Sequence, residues 1–364
     1  MKQYKTYKLL YLLVALLTSY GCATAQKVER YSVGALNDNR VVYALPQTIL
    51  YLQVTSEVTK EIPGELSLYA ERYLGTTNAV LEPALKYQLK SIEVGARGVA
   101  DEEQRFSIDF RKNSTATNVS LTDDGVLVGI NLQEEVTLPT PLDTRSNELR
   151  WAELPEVRFP LEYIQATTAA AKAKVLADNI YRIRESRDLV VSGESEQPFA
   201  DGKALEIAVK RLDTEEAAFT RQFNGVRQSQ EIVQLADHLS ATEEGRHVVA
   251  RFSTREGLLP AEDLRGEPIY LEIKVVEQAT PLDEKEQKRL ERRLSKGIVY
   301  CVPGTVRATI TYRGQVLESK EVPVAQLGNL EALDMVLFNT KGHTTSVELY
   351  PMNGGLKEVK EVNL

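Results

Sequence analysis

One short pattern occurs twice, near opposite ends of this chain, and any fold must accommodate both copies. The first is Val41-Val42-Tyr43-Ala44-Leu45-Pro46-Gln47-Thr48-Ile49 and the second is Ile298-Val299-Tyr300-Cys301-Val302-Pro303-Gly304-Thr305-Val306. Each reads as an apolar strand, a proline break and a new strand. Proline fixes its own φ, lacks an N–H and pushes the residue before it to extended geometry, so each copy is expected to mark a sheet edge or the start of a new strand. The apolar alternation differs in phase between the copies beyond Ile49 and Val306, so the pair reads as one device used twice and does not require duplication. Neither copy contains a nucleophile–base pair, a metal-ligand cluster or a phosphate loop.

The amino terminus sets the compartment. Lys2, Lys5 and Lys8 precede the apolar run Leu9 to Leu17, and Ser19-Tyr20-Gly21-Cys22-Ala23-Thr24-Ala25 supplies small residues for cleavage, which is the layout of a bacterial export signal over residues 1–25. Gly21-Cys22 fits lipoprotein processing, with Cys22 lipidated as the new first residue; Ala23-Thr24-Ala25 fits an ordinary cut before Gln26. No later stretch reaches the roughly 20 apolar residues of a membrane helix. The expectation is an exported protein, periplasmic or anchored at the outer membrane, that meets membrane only through a lipid on Cys22.

Removing the three signal lysines takes the formal net charge from −8 to −11, and so acidic a body repels nucleic acid and anionic membrane surfaces. Only Cys301 is certain to remain in the processed chain. Inside an apolar strand it reads as a small buried hydrophobe rather than a reactive thiol.

At 364 residues and 43% hydrophobic, the chain has room for two or three core-forming parts. Residues 26–140 read as β-rich with one short helix. Leu50, Leu52 and Val54 alternate with Tyr51 and Gln53, Glu65 to Leu74 carries a stripe of Leu66, Tyr69, Tyr73 and Leu74 closed by Gly75, and Phe106, Ile108 and Phe110 mark a further strand. Asp123-Asp124-Gly125 turns a hairpin between Val119-Leu121 and Val126-Leu132, and it reads as a turn rather than a calcium loop. Prolines punctuate Gln133 to Pro160, a connection that holds the only tryptophan, Trp151.

Residues 141–230 therefore read as a linker and a helical hairpin. Leu176, Ile180, Ile183 and Val190 recur at helical spacing, as do Leu205, Val209, Leu212, Phe219 and Phe223, with Asp201 as a cap and Gly225 as a stop. Residues 231–364 return to strands around one charged helix, Pro281 to Lys296, for which Thr280 is the expected N-cap and Pro281 the first position. The expected fold class is α+β: largely antiparallel β N- and C-terminal parts, the latter sandwich-like, flanking a central helical hairpin, with the two termini sharing a sheet.

The chemistry is sparse. His238, His247 and His343 have no metal-ligand spacing or catalytic neighbour, and Gly193-Glu194-Ser195 lacks the strand-to-helix context of a nucleophile elbow. Asp101-Glu102-Glu103 and Glu215-Glu216 read as solvated faces, although paired carboxylates are all that a glycosidase needs. No catalytic, cofactor or metal residue is assigned, and no cofactor is expected. Tyr69, Glu71, Arg72 and Tyr73 are the candidate recognition surface, set against their plainer reading as the stripe and solvent face of an amphipathic helix.

Several segments together resemble a family of secreted Bacteroidetes proteins, domain of unknown function 4831. They are Tyr43-Ala44-Leu45-Pro46-Gln47-Thr48, Tyr69 to Gly75, Ile183-Arg184-Glu185-Ser186-Arg187 with Ser192-Gly193-Glu194, Val299-Tyr300-Cys301-Val302-Pro303-Gly304, and Val324-Ala325-Gln326-Leu327-Gly328. The resemblance implies export and a bacterial source, and transfers no catalytic residue. The expected function is a non-enzymatic binding or assembly module of the envelope whose partner is another envelope protein or a glycan. The alternative is an envelope hydrolase acting through Asp and Glu.

Overall fold

The structure, a computed structural model, describes residues 28–30, 40–109, 118–133, 148–194, 202–338 and 343–363. The expected export signal with Cys22, Phe110, and the residues 195–201 that hold the expected cap Asp201 lie outside them. In chain order the elements are β1 (Val28–Arg30), β2 (Arg40–Ile62), a 3-10 turn at Ser67–Tyr69 running into α1 (Ala70–Leu74), β3 (Ala84–Asp109), β4 (Val119–Leu121) and β5 (Leu127–Ile130). There follow α2 (Leu161–Gln165), α3 (Ala169–Ser192), α4 (Gly202–Asn224), β6 (Val226–Ser240), β7 (Gly245–Ser253), β8 (Gly257–Leu259) and β9 (Glu267–Glu277). The chain closes with α5 (Glu284–Leu294), β10 (Gly297–Tyr312), β11 (Gln315–Asp334), β12 (His343–Leu349) and β13 (Leu356–Asn363).

The fold is mostly β, and all strand pairing between named strands is antiparallel. Three sheets form, with orders β1-β3-β2-β6, β11-β10-β9-β7-β8 and β13-β12-β5-β4. The first two pack face to face: Leu50, Leu52, Val54, Ile92 and Val94 meet Ala250, Phe252, Ile269, Leu271, Val306, Ala308 and Ile310 in one core. The sandwich expected within the C-terminal part is thus completed by N-terminal strands, because β9 and β10 need an apolar face that only β2 and β3 offer. The third sheet joins β5 to β12, so strands from the two ends of the chain do share a sheet. The boundary expected at 230/231 falls inside β6, which pairs with β2 from Val226 to Ser240.

The repeated pattern sits where two cores meet. Tyr43, Leu45, Ile298, Val299 and Cys301 belong to a second core with Phe106, Ile130, Phe338 and Val347, while the residues just beyond each proline, Leu50 and Val306 onward, belong to the first. The expected strand breaks are instead continuous strands with register shifts, between Ala44 and Pro46 in β2 and between Val302 and Gly304 in β10. A bulge tolerates a residue without an N–H and reverses the inward phase, from odd-numbered residues before the proline to even-numbered residues after it. Each proline also precedes the point where a third strand joins, β6 from Ile49 and β9 from Thr305.

The helices build a third core from Leu66, Leu176, Ile180, Phe219 and Phe223. Thr168 caps α3 through its Oγ1. Glu216 does not lie on a solvated face as expected: it accepts from Arg184 and Arg187, both at 2.6 Å, and ties α4 to α3. The cap of α5 is Asp283, not Thr280, in a capping box with Glu286, so Pro281 and Leu282 precede the helix instead of starting it.

Candidate functional site

The four residues of the candidate recognition surface divide. Tyr69 and Tyr73 are half-buried in the helical core with ring centroids 6.3 Å apart, and the main-chain oxygen of Tyr73 accepts from the Tyr181 hydroxyl. Glu71 and Arg72 face solvent, the Arg72 guanidinium lying over the Tyr73 ring at 5.5 Å. Cys22 lies outside the described residues. Cys301 is 4% exposed, and burial pushes its thiol up to about 12, which suppresses the reactive thiolate.

A better-formed concavity lies elsewhere. The segment Tyr87 to Glu93 of β3, the Phe252–Thr254 turn and the tip of the β10–β11 hairpin line a groove of about 680 Å³, the size of a small-ligand or peptide site. Local sequence explains the tip: Arg313 and Gly314 have φ of 50° and 77°, the left-handed pair that a two-residue hairpin demands. Arg313 is anchored to Glu267 and stacks over Tyr312, which fixes one wall. That ion pair holds the Glu267 carboxyl below its ordinary range. Val316 and Leu317 at the tip stay exposed, at 64% and 43%.

The opposite wall is a sheet edge. Within its sheet β3 has β2 on one side and β1 on the other, and β1 covers only Phe106 to Ile108. From Ala84 to Arg105, among the described residues, no strand is paired to the outer side of β3, although β11 passes close enough for Glu318 to reach it. Side chains cap this edge at two points: Glu318 accepts from the Val94 N–H at 2.5 Å and Asp124 from the Ala100 N–H at 2.8 Å.

Of the groove's three rings, Phe252 and Tyr312 are spent on packing, at 3% and 7% exposed, while Tyr87 is half-buried. The groove's carboxyls are Glu93 and Glu318, the latter engaged by the backbone and by Lys320 at 3.5 Å. The carboxyls of Glu61, Glu65, Asp263, Glu267 and Glu272 are lowered by bonds to cations. A general acid needs the opposite displacement. Among the described residues no three His, Cys, Asp or Glu side chains are placed to hold a metal ion. His247 is exposed on β7, and His238 on β6 contacts Arg97 at 3.4 Å.

A second groove of about 610 Å³ runs between α5 and β11, lined by Leu282, Leu290 and Leu330 together with Arg289, Arg292 and Arg293.

The family model described as Domain of unknown function (DUF4831) matches residues 39–357. The chain belongs to this family. The DUF4831 match takes in both copies of the repeated pattern, strands β2 to β12 and every residue of the β3 groove. No curated protein and no solved structure matches the chain. No motif marks the groove of this DUF4831 domain, because its residues come from three distant segments. The one legible signal was Arg313-Gly314 with the apolar pair Val316-Leu317 just beyond it.

Proposed function

We propose that this DUF4831 protein is an exported envelope protein acting as a non-enzymatic binding or assembly module, with the groove between β3 and the β10–β11 tip as its binding face. The observation that carries the reading is the open outer edge of β3 beside that groove, with Val316 and Leu317 exposed at its lip. Export to the periplasm or to an outer-membrane anchor at Cys22 is supported by Lys2, Lys5, Lys8 and the apolar run that follows. In this reading α3 and α4 form one antiparallel hairpin standing beside a continuous β body, and the partner is another envelope protein or a glycan.

The alternative, a glycan-directed hydrolase, draws on Glu93 and Glu318 lining one groove. The two are separated by affinity capture of the tagged protein from its native envelope after mild crosslinking, run beside Leu317→Lys and the double variant Glu93→Gln/Glu318→Gln. A binding module loses its captured partner with Leu317→Lys and releases no sugar in either form. Sugar release that disappears with the double variant would overturn the proposal.

A further inference from the structure

The main chain of β3 identifies the class of partner. Three hydrogen bonds fix the phase of its outer edge: the N–H of Tyr87 donates to the Thr254 carbonyl at 2.8 Å, that of Val94 to Glu318, and that of Ala100 to Asp124. Because a strand alternates with period two, Ala96 and Ile92 share the outward phase of Val94, and Leu89 shares that of Tyr87. The register of β3 against β2 shifts between these two sets, where Ser91 opposes Thr55 and Leu89 opposes Ser56, so the extra residue Lys90 keeps both sets facing outward. The N–H groups of Leu89 and Ile92 therefore point into the groove, away from β2.

From these facts we infer that the groove takes a short extended peptide segment, added as a strand to the outer edge of β3 between Tyr87 and Val94. The bonded Thr254 closes one end of the free edge and the Glu318 carboxylate closes the other, so the stretch suits a segment of about six residues at about 3.3 Å each. The hairpin tip walls the far side. Side chains alternate across an added strand, so its inward residues would be apolar against Leu89 and Leu317, and its outward residues polar beside Lys90 and Glu93. A glycan is disfavoured by the packed rings of Phe252 and Tyr312. This inference rests on the groove being the binding face.

The test uses the full processed chain from Gln26, with a displayed library of random seven-residue peptides as the probe. The expected result is enrichment of alternating apolar and polar sequences whose binding is lost in Leu317→Lys, a substitution at an exposed position that leaves the melting curve unchanged. The best peptide is then resynthesised with single N-methyl groups. Methylation at alternate positions should weaken binding about tenfold, the loss of one backbone hydrogen bond, and at the intervening positions by less than about twofold. No groove-dependent peptide, or N-methyl effects without alternation, would overturn strand addition. A native partner that crosslinks at Leu317 while every peptide fails would overturn it too, yet leave the groove standing as the binding face.

Discussion

The Tyr43 hydroxyl satisfies both main-chain groups of Val299: it donates to the carbonyl at 3.1 Å and accepts from the N–H at 2.8 Å, across 256 residues of sequence. Tyr43 is 1% exposed, and burial raises its pKa far above the ordinary phenol value, so the bridge does not titrate. It joins the first copy of the repeated pattern to the second. Thr48 makes the companion link, its main chain bonded on both sides by the Gln326 side-chain amide, at 3.1 Å and 2.8 Å, in the manner of a neighbouring strand.

Tyr43→Phe keeps the ring and removes the bridge. It should destabilise the protein by about 2–3 kcal/mol, because it strands a buried donor and a buried acceptor. A urea midpoint that falls at unchanged slope checks it.

In the chain that starts at Gln26, Cys301 is the only thiol. With its pKa near 12 and 4% exposure, it should resist iodoacetamide at pH 8 in the native protein and react fully in denaturant, as read by intact mass.

Glu65 ties the 3-10 turn to α3 by accepting from Lys172 at 2.8 Å and from the Tyr163 hydroxyl at 2.7 Å, and these bonds, Lys172 first, lower its carboxyl below the ordinary 4.5. A carboxyl depressed by folding stabilises the native state above its unfolded value and loses that contribution as pH falls through the folded value. Wild type should exceed Glu65→Gln by about 0.5 kcal/mol at pH 7, a figure kept small by the exposure of the pair. The gap should close on titration below 4.5, followed by thermal melting of both proteins.

The cap of α5 offers a clean contrast. Asp283→Ala should cost about 1 kcal/mol, and Thr280→Ala close to nothing, in melts of the two variants. The sequence reading chose Thr280 because Pro281 is comfortable at the first helical position. The Asp283-x-x-Glu286 reciprocal bonds prevail because they satisfy two otherwise orphaned N–H groups.

Most of the body was legible where one face of a strand is apolar, as in β7, β9, β10 and the β4–β5 hairpin, since burial on one side writes the period into the residues. The length of β2 and β3 was not legible. Between Ala84 and Arg105 lysine, glutamine, glutamate and arginine alternate with residues of which only Ile92 and Val94 are buried, and what extends β3 is pairing to β2. The prolines misled for a physical reason: a missing N–H forbids a regular ladder, but a bulge on a strand with one open side needs none. The candidate surface at Tyr69, Glu71, Arg72 and Tyr73 was visible as a stripe, and the helical partners that half-bury its two tyrosines come from residues about 100 positions away, Ala170 and Tyr181. The groove was hidden for the same reason, being assembled by tertiary pairing from β3, the Phe252–Thr254 turn and the hairpin tip.

The most direct test places a photo-crosslinking residue at Leu317, in the groove wall, and separately at Val191, exposed on α3 at 67%, in the protein expressed in its native cells. The account predicts one discrete adduct from position 317, mapped by mass spectrometry to a single extended segment of the partner, and none from 191. Adducts from 191 with none from 317 would contradict it and move the binding face to the helices.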